Sequence, residues 1–139
     1  VQTCALPIYW TQKFGMNSAD AWLQSLHKKR ERRRFRKFVS AHRDRLRAET
    51  RLWGLVGYAY TEFDDYNGAI AWLTDWTNRK DARPWMLNNA TWSLRAAGRD
   101  AEAAPISEFA LTLEPDHATG THLLWLAWDA AMRRPLPPR

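Results

Sequence analysis

Two stretches of this 139-residue chain decide its fold: LWGLVGYAYTEFDDYNGAIAWLTDW at residues 52–76 and MLNNATWSLRAAGRDAEAAPISEFA at residues 86–110. They align without a gap when Leu52 is placed on Met86, and we call this shift the repeat interval. The shift pairs Trp53 with Leu87, Val56 with Ala90, Tyr60 with Leu94, Ala69 with Ala103 and Trp76 with Ala110. A period of about 34 residues with helical spacing inside each copy predicts stacked pairs of helices.

Turn and capping residues separate five predicted helices in this part of the chain. The helices are predicted over residues 50–62, 67–77, 84–97, 101–113 and 118–132. Asp65 or Asn67 can cap the second helix, because a short polar side chain accepts hydrogen bonds from the first backbone N–H groups. Pro84 suits the first turn of the third helix, and Gly98 suits its C-terminal end. In the helix predicted over residues 67–77, the spacing of the apolar residues places Trp76 on the inward face.

The repeated positions resemble the tetratricopeptide repeat (TPR) family. The resemblance rests on Trp53, Val56, Gly57, Tyr60 and Ala69 in the first copy, and on Gly98, Arg99, Glu102, Ala103, Ala110, Leu113 and Pro115 in the second. It implies an all-α fold, a short right-handed TPR-like solenoid with helical hairpins at residues 50–83 and 84–117 and a partial repeat at residues 118–132. Thr91 and Trp125 depart from the pattern, because they stand where the first copy has Gly57.

A long basic helix is predicted before the repeats, within residues 9–49. Residues 1–51 carry 13 Lys/Arg and 4 Asp/Glu, a net charge of +9, whereas residues 52–139 carry 8 and 11, a net charge of −3. Lys, Arg and Glu are good helix formers, so after an irregular lead-in we expect one long helix, or two nearly continuous ones, over about residues 19–48. The candidate anion-binding residues are Lys28, Lys29, Arg30, Arg32, Arg33, Arg34, Arg36 and Lys37.

Three interpretations of this basic run stay open. In the first, the helix is solvated or lies on the acidic repeats of the same chain. In the second, it flanks a membrane span and contacts an anionic membrane surface. In the third, which is less favoured than the membrane, it binds the phosphates of a nucleic acid with strong salt dependence.

The two ends of the chain do not contribute to the predicted fold. The first eight residues, VQTCALPI, match the translation of a common sequencing adapter. We therefore expect residues 1–8 to be non-native and the rest to belong to a longer protein. Residues 133–139 contain three prolines and predict an extended tail.

The TPR resemblance also implies a groove on the concave side, lined by the first helix of each hairpin. The groove positions in this sequence are Tyr58, Thr61, Glu62, Trp85, Asn88, Trp92 and Arg95. The expected function is a non-catalytic protein–protein interaction scaffold that binds a peptide or helix there, unless the basic helix itself fills the groove. The alternative is a C-terminal appendage of a larger membrane-associated or enzymatic protein, with the basic helix as a juxtamembrane or interdomain linker. Both place the protein in the cytoplasm or on the cytoplasmic face of a membrane.

The sequence lacks the residue sets that catalysis or cofactor binding needs. Cys4 is the only cysteine, which excludes an internal disulfide and a Cys-based zinc site. His117 and His122 are five residues apart, a spacing that puts them on different helical faces, so we expect no metal site. No Ser-His-Asp set, P-loop or dinucleotide fingerprint is present. We therefore expect no enzyme activity, no cofactor and no small-molecule substrate.

Overall fold

The computed structural model describes the backbone of residues 18–133 and the side chains of residues 28–133. The predictions for residues 1–8, for the lead-in up to residue 17 and for the proline-rich tail after residue 133 lie outside these residues. The helices are α1 (Ser18–Ala41), α2 (Arg43–Ala48), α3 (Thr50–Glu62), α4 (Tyr66–Trp72), α5 (Pro84–Ala96), α6 (Asp100–Ala110) and α7 (Thr119–Arg133). The described part has no strand, and the predicted all-α class is confirmed.

The helix starts recur at the interval found in the sequence. Helix α3 begins at Thr50 and α5 begins at Pro84, and both have 13 residues. Helices α4 and α6 begin at Tyr66 and Asp100, which are separated by the same repeat interval. The residues that the shift pairs are buried in both copies at Trp53 and Leu87, Val56 and Ala90, Tyr60 and Leu94, and Ala69 and Ala103. The same apolar spacing therefore builds the core of both helix pairs, α3 with α4 and α5 with α6.

Helices that are close in sequence pack on one another. Helix α3 packs on α4 and α5, while α5 packs on α4, α6 and α7. Two glycines let α3 approach its neighbours closely. A Cβ atom at Gly54 would lie 2.5 Å from Cγ of Met86 on α5, and one at Gly57 would lie 2.8 Å from a methyl group of Leu73, the residue that follows α4.

Two of the predicted helices are too long. Helix α4 ends at Trp72 rather than at residue 77, and a short 3₁₀ turn follows at Trp76–Asn78. The reason is that Asp75 turns toward the core, where it accepts a hydrogen bond from the indole of Trp53. The predicted helix over residues 101–113 ends at Ala110.

The turns between helices use the residues that turn chemistry requires. Asp65 accepts a hydrogen bond from the backbone N–H of Gly68 and so caps α4, as the sequence predicts. Gly98 adopts φ +75 after α5, a left-handed conformation that favours glycine. Asp64 also has a positive φ, of 55, at the end of α3.

Helix α1 is packed across the turn between α3 and α4. The ring of Phe35 lies 5.0 Å from that of Tyr60 and 5.4 Å from that of Phe63, measured between centroids. Val39 is buried one turn further on. Helix α1 ends at Ala41 and α2 begins at Arg43, with His42 between them. No helix in residues 18–133 is long and apolar enough to cross a membrane.

Asp75 joins three parts of the fold: helix α2, helix α3 and the loop between α4 and α5. Its carboxylate lies 2.7 Å from Arg47 of α2 and 3.1 Å from Arg79 of the loop before α5, and it accepts the Trp53 indole N–H at 2.9 Å. The two guanidinium groups also cover the rings of Trp72 and Trp53. Burial alone would raise the pKa of Asp75, but the hydrogen bonds and charges of Arg47, Trp53 and Arg79 outweigh it and lower this pKa.

Replacing Asp75 should destabilise the fold more than replacing an exposed carboxylate. The Asp75→Asn variant should lose about 2 kcal/mol of unfolding free energy in urea, because two partly buried cations lose their anion. The contribution of Asp75 is complete above its unfolded pKa of about 4 and is lost as the pH falls through the lower folded value. Glu108→Gln, at an exposed carboxylate of α6, is the control and should leave stability unchanged. Equal stabilities of the two variants would contradict the role of Asp75.

Candidate functional site

Two large aromatic side chains stand exposed at equivalent positions of α3 and α5. Tyr58 and Trp92 are separated by one repeat interval, and 37% and 51% of their surfaces are exposed. Leu55, one turn before Tyr58, is 39% exposed. Exposed aromatic residues on a helix in contact with another helix form the kind of surface on which protein segments dock.

The polar residues of α3 lie next to Tyr58. The Thr61 hydroxyl donates a hydrogen bond to the Tyr58 carbonyl at 2.6 Å. Burial of the ring, and then the neighbouring carboxylate of Glu62, raise the pKa of the Tyr58 phenol. The phenol therefore stays protonated at neutral pH and can donate a hydrogen bond. Glu62 adds a negative charge at the same end of α3.

The first half of α5 is half-buried. The backbone N–H of Trp85 donates to the carboxylate of Asp116 at 3.1 Å, and the side chain of Trp85 packs on the core. Asn88 follows one turn later, on the side of α5 that carries Trp92. The carboxamide oxygen of Asn88 is buried and has no hydrogen-bond partner among the described residues.

Arg95 is engaged within the chain. Its guanidinium makes two hydrogen bonds to the carboxylate of Asp129 on α7, at 2.9 and 3.0 Å, and lies 4.2 Å from the ring centre of Trp125. The side chains of the pair are only 7% and 10% exposed. The hydrogen bonds from Arg95 are the main cause that lowers the pKa of Asp129. The structure thus brings six of the seven predicted groove residues to exposed or half-buried positions and places Arg95 beneath α7.

His122 provides a second buried contact between α7 and the second hairpin. Its ring is fully buried, with Nε2 2.9 Å from the Pro84 carbonyl and Nδ1 3.0 Å from the Ser107 hydroxyl. Because a carbonyl only accepts, Nε2 carries the proton and the neutral ring accepts from Ser107. Burial lowers the pKa of His122, although the Pro84 carbonyl and the charge of Asp116 partly oppose the effect.

The eight basic candidates divide into two groups. Lys28 pairs with Asp64 at 2.7 Å, Arg32 donates to the Phe63 carbonyl, Arg36 pairs with Asp65 and Arg34 pairs with Glu31 at 3.0 Å. The other four are exposed and form no ion pair with a carboxylate of residues 28–133: Lys29, Arg30, Arg33 and Lys37. The chain therefore uses half of the basic run for its own packing.

Sequence reasoning missed the carboxylates that engage these cations. Asp129 lies one repeat interval after Arg95, so the repeat itself was the signal that could have paired them. Asp75 carries no such signal, because its partners come from three separate segments. No group of three or more His, Cys, Asp or Glu side chains that could hold a metal ion lies within the described part of the chain.

A shallow depression of about 580 Å³ opens where α3, α5 and α7 begin. It is lined by Thr50, Arg51, Asp81, Arg83, Trp85, Met86, Asp116 and His117. Cationic and anionic side chains both line it, and several lining residues already bond to one another, as Thr50 does with Asp81 and Trp85 with Asp116. The depression therefore lacks the uniform charge or apolar lining of a dedicated small-molecule site.

The Arg95–Asp129 pair should behave as a coupled unit. Arg95→Met or Asp129→Leu alone should cost about 3 kcal/mol of unfolding free energy, because each leaves one buried charge without its partner. The double variant should cost much less than the sum, since it replaces the pair by apolar groups. A double-mutant cycle from urea unfolding measures the coupling. The exposed pair Arg99–Glu102 serves as the control, and additive effects at Arg95 and Asp129 would show that α7 is not held in this way.

His122 should make stability depend on pH. The unfolded imidazole titrates near pH 6.5 and the folded one titrates lower, so the unfolded chain takes up the proton first. The unfolding free energy should be constant above about pH 7.5 and fall as the pH drops through about 6.5. His122→Gln should remove this dependence, whereas His117→Gln, at an exposed histidine, should retain it. The same pH dependence in both variants would refute the role of His122.

The described structure has an exposed aromatic and polar surface on α3 and α5, and its buried charges are paired within the chain. We call the surface formed by Tyr58, Thr61, Glu62, Trp85, Asn88 and Trp92 the α3–α5 surface. Comparisons of the chain with models of protein families, with curated proteins and with solved structures find no match. Its function must therefore be inferred from its own residues.

Proposed function

We propose that the chain is a non-catalytic scaffold that binds a segment of another protein on the α3–α5 surface. The observation that carries the proposal is the exposure of Tyr58 and Trp92 at equivalent positions of two helices in contact. Rings of this size are the side chains that contribute most to protein interfaces when they become buried. The expected cytoplasmic location and the absence of a cofactor stay predictions.

The arrangement behind this proposal is a short right-handed TPR-like solenoid. Similar contacts within each of the two predicted hairpins support it, because each joins the start of the first helix to the loop that follows the second helix. The hydroxyl of Thr50 at the start of α3 donates to Asp81, and the N–H of Trp85 at the start of α5 donates to Asp116, each across 31 residues. Helices α3, α5 and α7 would then line one side, with Tyr58 and Trp92 next to each other on it.

The chemistry of the surface restricts the partner. Glu62 supplies a negative charge, and the one predicted groove cation, Arg95, is already neutralised by Asp129. A terminal carboxylate would find no cation there that is not already engaged. The surface instead suits a segment with apolar anchors for Trp92 and Tyr58 and with Lys or Arg near Glu62, since a cation is also attracted to an indole face.

A selection from a random peptide library displayed on phage tests this proposal. Enriched peptides should combine apolar residues with Lys or Arg. Binding of the best peptide is then measured by fluorescence polarisation. Tyr58→Ala and Trp92→Ala should each weaken binding about tenfold, a typical loss for an aromatic contact at the centre of an interface.

Trp128→Ala is the matched control for Trp92→Ala. Trp128 is 53% exposed, close to the 51% of Trp92, but it is equivalent to the buried Leu94 and so lies on another side of its helix. Its replacement should leave peptide affinity unchanged. Undiminished binding by the Tyr58→Ala, Trp92→Ala double variant, or loss of binding in Trp128→Ala alone, would overturn the α3–α5 surface as the site.

A further inference from the structure

One face of helix α1 packs on the rest of the fold, and we call it the inner face. Phe35 and Val39 are packed on the core, and Lys28 and Arg36 pair with the two aspartates of the α3–α4 turn. Arg32 donates to the Phe63 carbonyl at 2.6 Å. The inner-face cations of the basic run therefore have their partners within the chain.

The outer face of α1 consists of Lys29, Arg30, Arg33 and Lys37. Lys29, Arg33 and Lys37 are four residues apart and therefore lie along one side of the helix, with Arg30 beside them. At 1.5 Å rise per residue the row is about 12 Å long. All four side chains are exposed.

No nearby carboxylate in the described part of the chain neutralises this face. Asp64 and Asp65 are engaged by Lys28 and Arg36 on the inner face. Glu31 is 5% exposed and is paired with Arg34. Four positive charges on one side of a helix without an internal anion create a local potential that attracts an anionic partner.

The composition of the outer face favours nucleic acid over a membrane. A helix that lies in a membrane interface inserts an apolar face, but Phe35 and Val39 are already buried against this chain. Phe38, 51% exposed, is the one aromatic ring near the outer face in residues 28–41. A purely cationic row instead matches the regularly spaced phosphates of a nucleic acid backbone.

We propose that the outer face of α1 binds the phosphate backbone of a nucleic acid. The proposed contacts are to phosphate groups, which carry no base information, so the binding should be independent of sequence. The inference does not depend on peptide binding by the α3–α5 surface, because the residues belong to different helices.

Fluorescence anisotropy with a labelled 20-base-pair DNA duplex of mixed sequence tests the proposal between 50 and 200 mM KCl. Four phosphate contacts predict a slope of about −3.6 for log K against log salt. Replacing Lys29, Arg30, Arg33 and Lys37 together by Gln should reduce the affinity at 50 mM at least tenfold and bring the slope close to zero. Circular dichroism should show an unchanged melting temperature, since the four side chains make no ion pair in the described structure.

The control removes the same charge elsewhere. Arg43, Arg45, Arg51 and Lys80 are also exposed, and replacing all four by Gln should leave most of the affinity and slope intact. Equal losses in the two variants would show an effect of net charge alone and overturn the proposal. The absence of duplex binding at 50 mM, or binding only to mixed vesicles of phosphatidylcholine and phosphatidylserine, would overturn it as well.

Discussion

The close approach of α3 to its neighbours is the constraint on which the other features depend. Gly54 and Gly57 leave no room for a Cβ atom against Met86 and Leu73. With larger residues there, α3 would move away from both α5 and the end of α4. Trp53, which is fully buried, would then lose its contacts, and the α3–α5 surface would be split. The local absence of two side chains thus lets the helices that carry Tyr58 and Trp92 pack closely.

The packing of the helices also determines which cations are neutralised. Cations that become buried pair with carboxylates of the chain, whereas other cations stay exposed. Asp75 and Asp129 each hold arginine side chains against tryptophan rings. Removing one partner of such a pair destabilises the protein, because the other charge then stays buried without a partner. Lys29, Arg33 and Lys37 form no such pair with a carboxylate of the described residues.

The helices could be predicted from the sequence because their signals are local. Apolar spacing and turn residues predicted both ends of α3, and Asp65 was one of the two expected caps of α4. The early end of α4 could not be predicted, since it depends on the attraction of Asp75 to groups from other segments. The position of Arg95 beneath α7 was also missed, although Asp129 lies one repeat interval after it. Long-range pairing of charges depends on distances between elements that no local pattern contains.

The most direct test of the proposed surface is an NMR titration of ¹⁵N-labelled protein with a selected peptide, followed through the indole N–H signals. The indoles of Trp53 and Trp72 donate hydrogen bonds inside the fold and serve as internal references. Binding on the α3–α5 surface predicts a saturable shift of the Trp92 signal while those of Trp53, Trp72 and Trp128 stay in place. A titration that moves Trp128 and leaves Trp92 unchanged would contradict it.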